Sequence, residues 1–243
     1  MSFLFRELLY RPIFNLLVAL YNFIPGGDFG LAIIVLTLLI RLTFSPFSIK
    51  ATRSQKKLAE LQPRIKEIQD KHKNDKTVQG QKIMELYQKE NINPMSGCMF
   101  LIIQIPILFG LYRALLNMFN PDTLNLIYNF IPRPEMINNI AFGFLKLAEA
   151  SPALAIATGI IQFLQMKMQA SVSTPNQGSK QEGMAAGIAS MSKQMVYFLP
   201  VMIIVIGWRL PAGLLIYWMT STLFSLGEQL YIKKFNHNAV GSK

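Results

Sequence analysis

The stretch Phe29–Phe47, FGLAIIVLTLLIRLTFSPF, is apolar along nearly its whole length and carries one arginine, Arg41. A helix this long, rising about 1.5 Å per residue, nearly crosses a bilayer core of roughly 30 Å. An arginine inside it costs on the order of 2.5–3.5 kcal/mol on insertion scales, so its surroundings must offset that cost. Arg41 lies roughly 18 Å from the Phe29 end and roughly 9 Å from the Phe47 end. It is therefore off-centre, towards Lys50 and Arg53. Thr37, Ser45 and Ser48 stand at i−4, i+4 and i+7 from it, which puts all four on one helix face. That stripe must face other helices or a hydrated hollow, whereas Leu36 is expected to face lipid.

The rest of the chain has the same character. Of its 243 residues 51% are hydrophobic and only 15% charged, with mean hydropathy +0.32; soluble domains average about 25% charged. The net charge of +11 would suit nucleic acid, but the basic residues sit between apolar spans, the pattern of loops at an anionic membrane face. No nucleic-acid sequence recognition is expected. The single cysteine, Cys98, excludes an intramolecular disulfide and a cysteine metal cage, and His72 and His237 lie in polar segments. No metal or cofactor is expected.

Taken in order, residues 1–28 read as an interfacial amphipathic helix closed by the turn Pro25–Asp28, although 13–24 also resembles the apolar region of a signal peptide. The first span is 29–49. Residues 50–96 hold eleven Lys/Arg against six Asp/Glu, and Leu58, Leu61, Ile65 and Ile68 give one narrow apolar seam. With a turn at Lys73–Lys76, this is a solvent-exposed helical hairpin or, more simply, a charged linker. Further spans are expected at 97–118, 150–168, 196–210 and 211–232, joined by an outer loop at 119–149 and a loop at 169–195, with a tail at 233–243. Met166, Met168, Met184, Met191 and Met195 flank the 169–195 loop, as adaptable contacts or ordinary helix residues. Five spans put the basic hairpin, Lys180, Lys193, Lys233 and Lys234 on one side, so the N-terminus is expected outside and the C-terminus in the cytoplasm.

No Ser-His-Asp set, HExxH, Walker loop or GxGxxG is present, and no enzyme is expected. The ionisable residues clearly within spans, away from Lys167 and Arg209 near span ends, are Arg41, Arg113 and, near a cytoplasmic end, Glu228. Thr37, Gln104, Gln162 and Trp218 come from four spans and supply hydroxyls, amides and an indole. Around a lone cation they imply a wet hollow. Each also has a plainer reading: the glutamines as interhelical hydrogen bonds, Trp218 as a belt residue, Arg41 as a cation held by backbone carbonyls. In the third span Thr158, Gln162, Gln165 and Gln169 form a second polar stripe.

The stretches RPIFNLLVALYNFIPGGDFGLAIIVLTLLIRLTFSPF, LAELQPRIKEIQDKHKND, INPMSGCMFLIIQIPILFGLYRAL and WRLPAGLLIYWMTSTLFSLGEQ resemble, in order and spacing, the YidC/Oxa/Alb family of membrane protein insertases in its short bacterial form. The resemblance covers about residues 11–235. It implies an all-α polytopic membrane protein of the bacterial plasma (inner) membrane, with five transmembrane helices around a hydrophilic groove open to the cytoplasm, and a cytoplasmic helical hairpin. It matches the groove arginine to Arg41, the preceding hydroxyl to Thr37, the third-span glutamine to Gln162, the substrate-touching aromatic to Trp218 and the QxP glutamine to Gln104. It implies nascent membrane proteins and the lipid bilayer as partners, the ribosome and Sec translocon besides, and a monomer. Against the family pattern, a large outer domain, an early lipoprotein cysteine and a long basic tail are expected to be missing. A small-anion channel or transporter, or a lipid scramblase, using the same groove is the competing expectation.

Overall fold

The computed structural model describes residues 3–92, 96–118, 121–134, 137–173 and 184–240, with side chains outside 96–103, 121–122, 170–173, 184–195 and 234–240. Nearly all of it is helix. A turn α1 (Phe3–Phe5) and a π-helical turn (Arg6–Tyr10) lead into α2 (Arg11–Phe23), then α3 (Phe29–Glu60), α4 (Gln62–Lys71) and α5 (Lys76–Lys89). Next come α6 (Ser96–Asn117), a 3-10 turn (Pro121–Leu126), α7 (Pro152–Ser173), α8 (Met184–Gly207) and α9 (Ala212–Val240). The segment between α6 and α7 adds a two-stranded antiparallel ribbon, β1 (Ile140–Ala141) and β2 (Leu145–Lys146), which the sequence pattern does not signal. Strands this short carry almost no periodic signal. Lys180 and Glu182, and the side chains of Cys98, Met184, Met191, Lys193, Met195, Lys234 and His237, lie outside what the structure describes.

Helix α3 starts where Asp28 accepts a hydrogen bond from the Leu31 N–H at 3.0 Å, a side-chain N-cap. It passes Pro46 and runs to Glu60, well beyond the end of the apolar stretch at residue 49. Lys, Arg, Gln and Glu are strong helix formers. Hydropathy thus marks where the chain leaves an apolar medium, not where the helix ends. The hairpin continues with α4 and α5, whose turn is capped by Asp75 accepting from the N–H groups of Thr77 and Val78, each at 3.0 Å. Leu61, Ile65 and Ile92 are buried there with Leu58, Ile83, Leu86 and Tyr87 packed on them. Burial in that small cluster raises the Tyr87 phenol above its ordinary range.

Five helices alternate in direction. Gly213 at the start of α9 packs on Leu115 near the end of α6, and Gln104, earlier in α6, meets Tyr217, later in α9. These two helices are therefore antiparallel. Arg41 meets Ser221, and Ser45 and Ser48 meet Glu228, so α3 and α9 run parallel. Gly159 of α7 packs on Ile204 of α8, and Gly207 of α8 on Ala155 of α7, an antiparallel pair. Ala212 N–H to Glu149 O at 2.8 Å and the Ala150–Pro211 bridge hold the starts of α7 and α9 side by side.

The main core gathers Phe14 and Leu17 of α2, Phe29 and Ile33 of α3, Leu111 of α6 and Tyr217 of α9. The apolar face of α2 is thus taken up by protein, and its buried Asn15 ties it to the α6–α7 connection through Leu126 O and Tyr128 N–H. Leu36 was expected to face lipid. It is 1% exposed, in this core. In a helix apolar all round, composition does not say which side is inner.

The outer surface is as telling as the core. Leu42, Phe47, Phe109, Ile160, Val201 and Leu230, from five helices, are each more than half exposed. Among the described residues α3 alone combines the length and hydropathy of a span, and only 28% of its most apolar window is buried. In water that surface would drive aggregation; in acyl chains it is solvated.

Gly159 allows the α7–α8 approach, since a Cβ there would stand 2.3 Å from Ile204. Gly159→Val should cost about 2 kcal/mol through overpacking. Gly80 of α5 has open space around it, and Gly80→Ala should stabilise by about 0.5–1 kcal/mol. Thermal unfolding in detergent checks both signs.

Candidate functional site

The polar residues of the bundle are organised along α9. Tyr217, Ser221 and Glu228 recur at i, i+4 and i+11, and Trp218, Thr222 and Gln229 repeat that spacing one residue on, so α9 carries two adjoining polar faces. Such a helix cannot be wrapped by lipid on these sides and must find polar partners on its neighbours.

The first face meets α3 and α6. Arg41 donates through Nε to Ser221 Oγ at 2.7 Å, and its Nη2 donates to the same oxygen. Gln104 Nε2 donates to the Tyr217 hydroxyl at 2.6 Å. Further along, Ser45 Oγ and Ser48 Oγ donate to the two carboxylate oxygens of Glu228 at 2.7 and 2.5 Å. The second face meets α7. Trp218 Nε1 donates to Gln162 Oε1 at 3.2 Å, and the Thr222 hydroxyl stands 3.2 Å from the same oxygen. Gln162 Nε2 in turn donates to Gln165 Oε1 at 2.7 Å, and Gln169 Nε2 donates to Gln55 Oε1 at 2.9 Å.

Four residues singled out in the sequence therefore line one helix in two sets: Arg41 and Gln104 on one face, Gln162 and Trp218 on the other. Thr37 is different. It is fully buried, and its hydroxyl donates to Ile33 O at 2.6 Å in its own helix. Three residues escaped selection. Ser221 is the side chain that receives the guanidinium, Tyr217 is the aromatic bonded to Gln104, and Glu228 shares the seam with Arg41. The spacing of Ser221 and Glu228 was visible; their partners were not, because the pairing of α3 with α9 crosses 180 residues of chain.

The reading of Arg41 as a lone cation needs correction. Ser45 lies one turn beyond Arg41 on α3 and holds Glu228, so a carboxylate stands on the same seam about 10 Å along α9 from Ser221. Opposite charges spaced this way and wrapped in hydroxyls offset part of each other's desolvation. Outside the bundle, hydrogen bonds from Arg11 and then Arg6 hold the Glu7 carboxyl below its ordinary range. Among the described residues no three His, Cys, Asp or Glu side chains gather as a metal site would require.

This fold and seam can be set against known proteins. Residues 19–239 match the family model described as 60Kd inner membrane protein. The chain belongs to this family. Its members are non-enzymatic proteins of the bacterial inner membrane, where the exposed apolar belt has its natural solvent. A relative from Fusobacterium nucleatum named membrane protein insertase YidC is 33% identical over 210 residues, 86% of this chain and 87% of that one. Relatives of the same name from Rickettsia prowazekii and Francisella tularensis are 33% and 35% identical over 93% and 86% of this chain, which spans 39% and 33% of their length. A crystal structure of an active YidC insertase with its first transmembrane domain resolved shares the fold, with TM-score 0.61, 21% identity and coverage of 93% of this chain and 46% of that one.

The Gln104–Tyr217 pair gives a test of the seam. Tyr217→Phe alone should cost about 1–2 kcal/mol, by leaving the amide without its acceptor. Adding Gln104→Leu should recover part of that loss, since replacing both partners by apolar groups removes the unpaired polar group. Denaturant titration in micelles reads the sign of the coupling; strict additivity would mean that the two side chains do not interact.

Proposed function

We propose that this protein inserts nascent membrane proteins into the bacterial inner membrane, using the polar seam along α9 as the wall of a hydrophilic groove open to the cytoplasm. The observation that carries the reading is Arg41 held by Ser221 within an otherwise apolar bundle, in a chain whose Fusobacterium relative, matched over most of both lengths, is named an insertase.

In this reading α3, α6, α7, α8 and α9 cross the bilayer. The parallel course of α3, α7 and α9 supports it, because their C-terminal ends share a side with the basic hairpin. By the positive-inside rule that side is cytoplasmic. The leading tail of a client enters there. Attraction to Arg41 draws its polar or acidic groups inward, and hydroxyls and amides along α9 replace water around them. The distance left to cross in hydrocarbon shortens. The client's apolar segment then leaves between the helices into lipid, driven by hydrophobic transfer, with no nucleotide consumed. The hairpin of α4 and α5, basic and projecting from the bundle, suits contacts with the ribosome or the Sec translocon. The relatives' names favour insertion over passage of anions or lipids.

Arg41→Ala should lower insertion of a single-span substrate with an acidic tail about tenfold, the loss of roughly 1.4 kcal/mol of attraction. Arg41→Lys should keep most of it. Protease protection of the tail in proteoliposomes measures both. Wild-type insertion by Arg41→Ala would contradict the proposal, and equal failure of Lys and Ala would replace charge by guanidinium geometry.

A further inference from the structure

Glu228 is the one acidic residue in the five stretches 29–49, 97–118, 150–168, 196–210 and 211–232. A carboxylate near the end of a membrane helix has an easier course than burial, since it can turn out towards the headgroups. Here it turns inward, onto the α3–α9 seam, and both of its oxygens accept hydroxyl protons, from Ser45 and Ser48. The direction of the two helices fixes its place. Ser45 and Ser48 follow Arg41 on α3, and Glu228 follows Ser221 on α9, so Glu228 lies on the hairpin side of Arg41. Beside it, the Gln229 Oε1 is buried and has no hydrogen-bond partner among the described residues. The hairpin-side end of the seam thus holds acceptors rather than donors: a carboxylate and, buried beside it, an amide oxygen. Such a mouth suits N–H and ammonium groups and disfavours carboxylates.

We propose that Glu228 is a specificity residue, a charge filter at the cytoplasmic mouth of the seam that discriminates against acidic leading segments before they reach Arg41. This rests on the insertase reading above. A tail entering from the cytoplasm passes Glu228 first. An acidic tail is repelled there and attracted deeper in; a neutral or basic tail meets no like charge. The two serines hold the carboxylate in the path rather than letting it swing to the headgroups. The hydroxyls also make it a better-solvated anion than its apolar surroundings alone would allow.

The test uses the full chain in phosphatidylethanolamine–phosphatidylglycerol proteoliposomes. Two single-span substrates differ only in two tail positions, aspartate in one and asparagine in the other, and compete in the same vesicles. The readout is the ratio of acidic to neutral tail inserted. Glu228→Gln keeps the shape and can still meet both serines, so the ratio should rise about fivefold from removal of one charge near the path. Glu228→Asp keeps the charge and should leave the ratio within about twofold of wild type. An unchanged ratio in Glu228→Gln overturns the filter, including the case where both substrates fall together, and so does an equal shift by Gln and Asp. Wild-type protein that inserts neither substrate overturns the insertase reading and the filter with it. Insertion of both with no effect of Glu228→Gln removes the filter alone.

Discussion

A guanidinium placed in an apolar helix cannot be left to hydrocarbon, and the helix bundle is arranged around that constraint. Arg41 needs an acceptor, and Ser221 of α9 supplies it. Once α9 turns a polar face to α3, the rest of that face must also be satisfied, which it is by Gln104 at Tyr217 and by Ser45 and Ser48 at Glu228. The adjoining face draws in Gln162 of α7. The polar groups of the bundle thus form a connected seam. Helix α8 contributes close packing instead, meeting α7 at Gly159, Gly207 and the Phe163–Tyr197 ring pair.

The apolar remainder follows from the same division. Inward, α2 and the α6–α7 connection close the bundle at the end away from the hairpin, through Asn15, Asp28 and the short β ribbon that packs at Ala141 against Gly30. Outward, large side chains from five helices stand exposed in a belt. Beyond the bundle, α3 continues as a charged rod into the α4–α5 hairpin, whose own core is only a few residues. The hairpin thus packs on a small core of its own, separate from the main core of the bundle.

Much of this was legible in the sequence because intramembrane polarity is expensive and therefore conspicuous. The i−4, i+4 and i+7 spacing around Arg41 identified the face of α3 that meets α9, and the 3-4-3 seam identified the hairpin core at Leu61 and Ile65. What stayed hidden depends on partners far apart in the chain. Thr37 sits on the right face yet spends its hydroxyl on its own backbone, while Ser221, 180 residues away, takes the guanidinium. Leu36 and Leu42 are the same residue type six positions apart on one helix, and only the neighbours decide that one is core and the other exposed. Helix α3 outlasts its apolar stretch for a different reason: charged residues end an apolar span but continue a helix.

The central claim is that a nascent segment travels along the seam of α9. The most direct measurement is site-specific photocrosslinking to ribosome-bound chains of a small single-span membrane protein, with the probe at Tyr217, Gln162 or Trp218 and, for comparison, at the outward-facing Leu42 and Val201. The account predicts strong crosslinks from the three seam positions and weak ones from the two outer positions. Crosslinks confined to Leu42 and Val201, or absent from the seam, would contradict it and leave the seam as a purely structural device for holding Arg41 and Glu228 within the bundle.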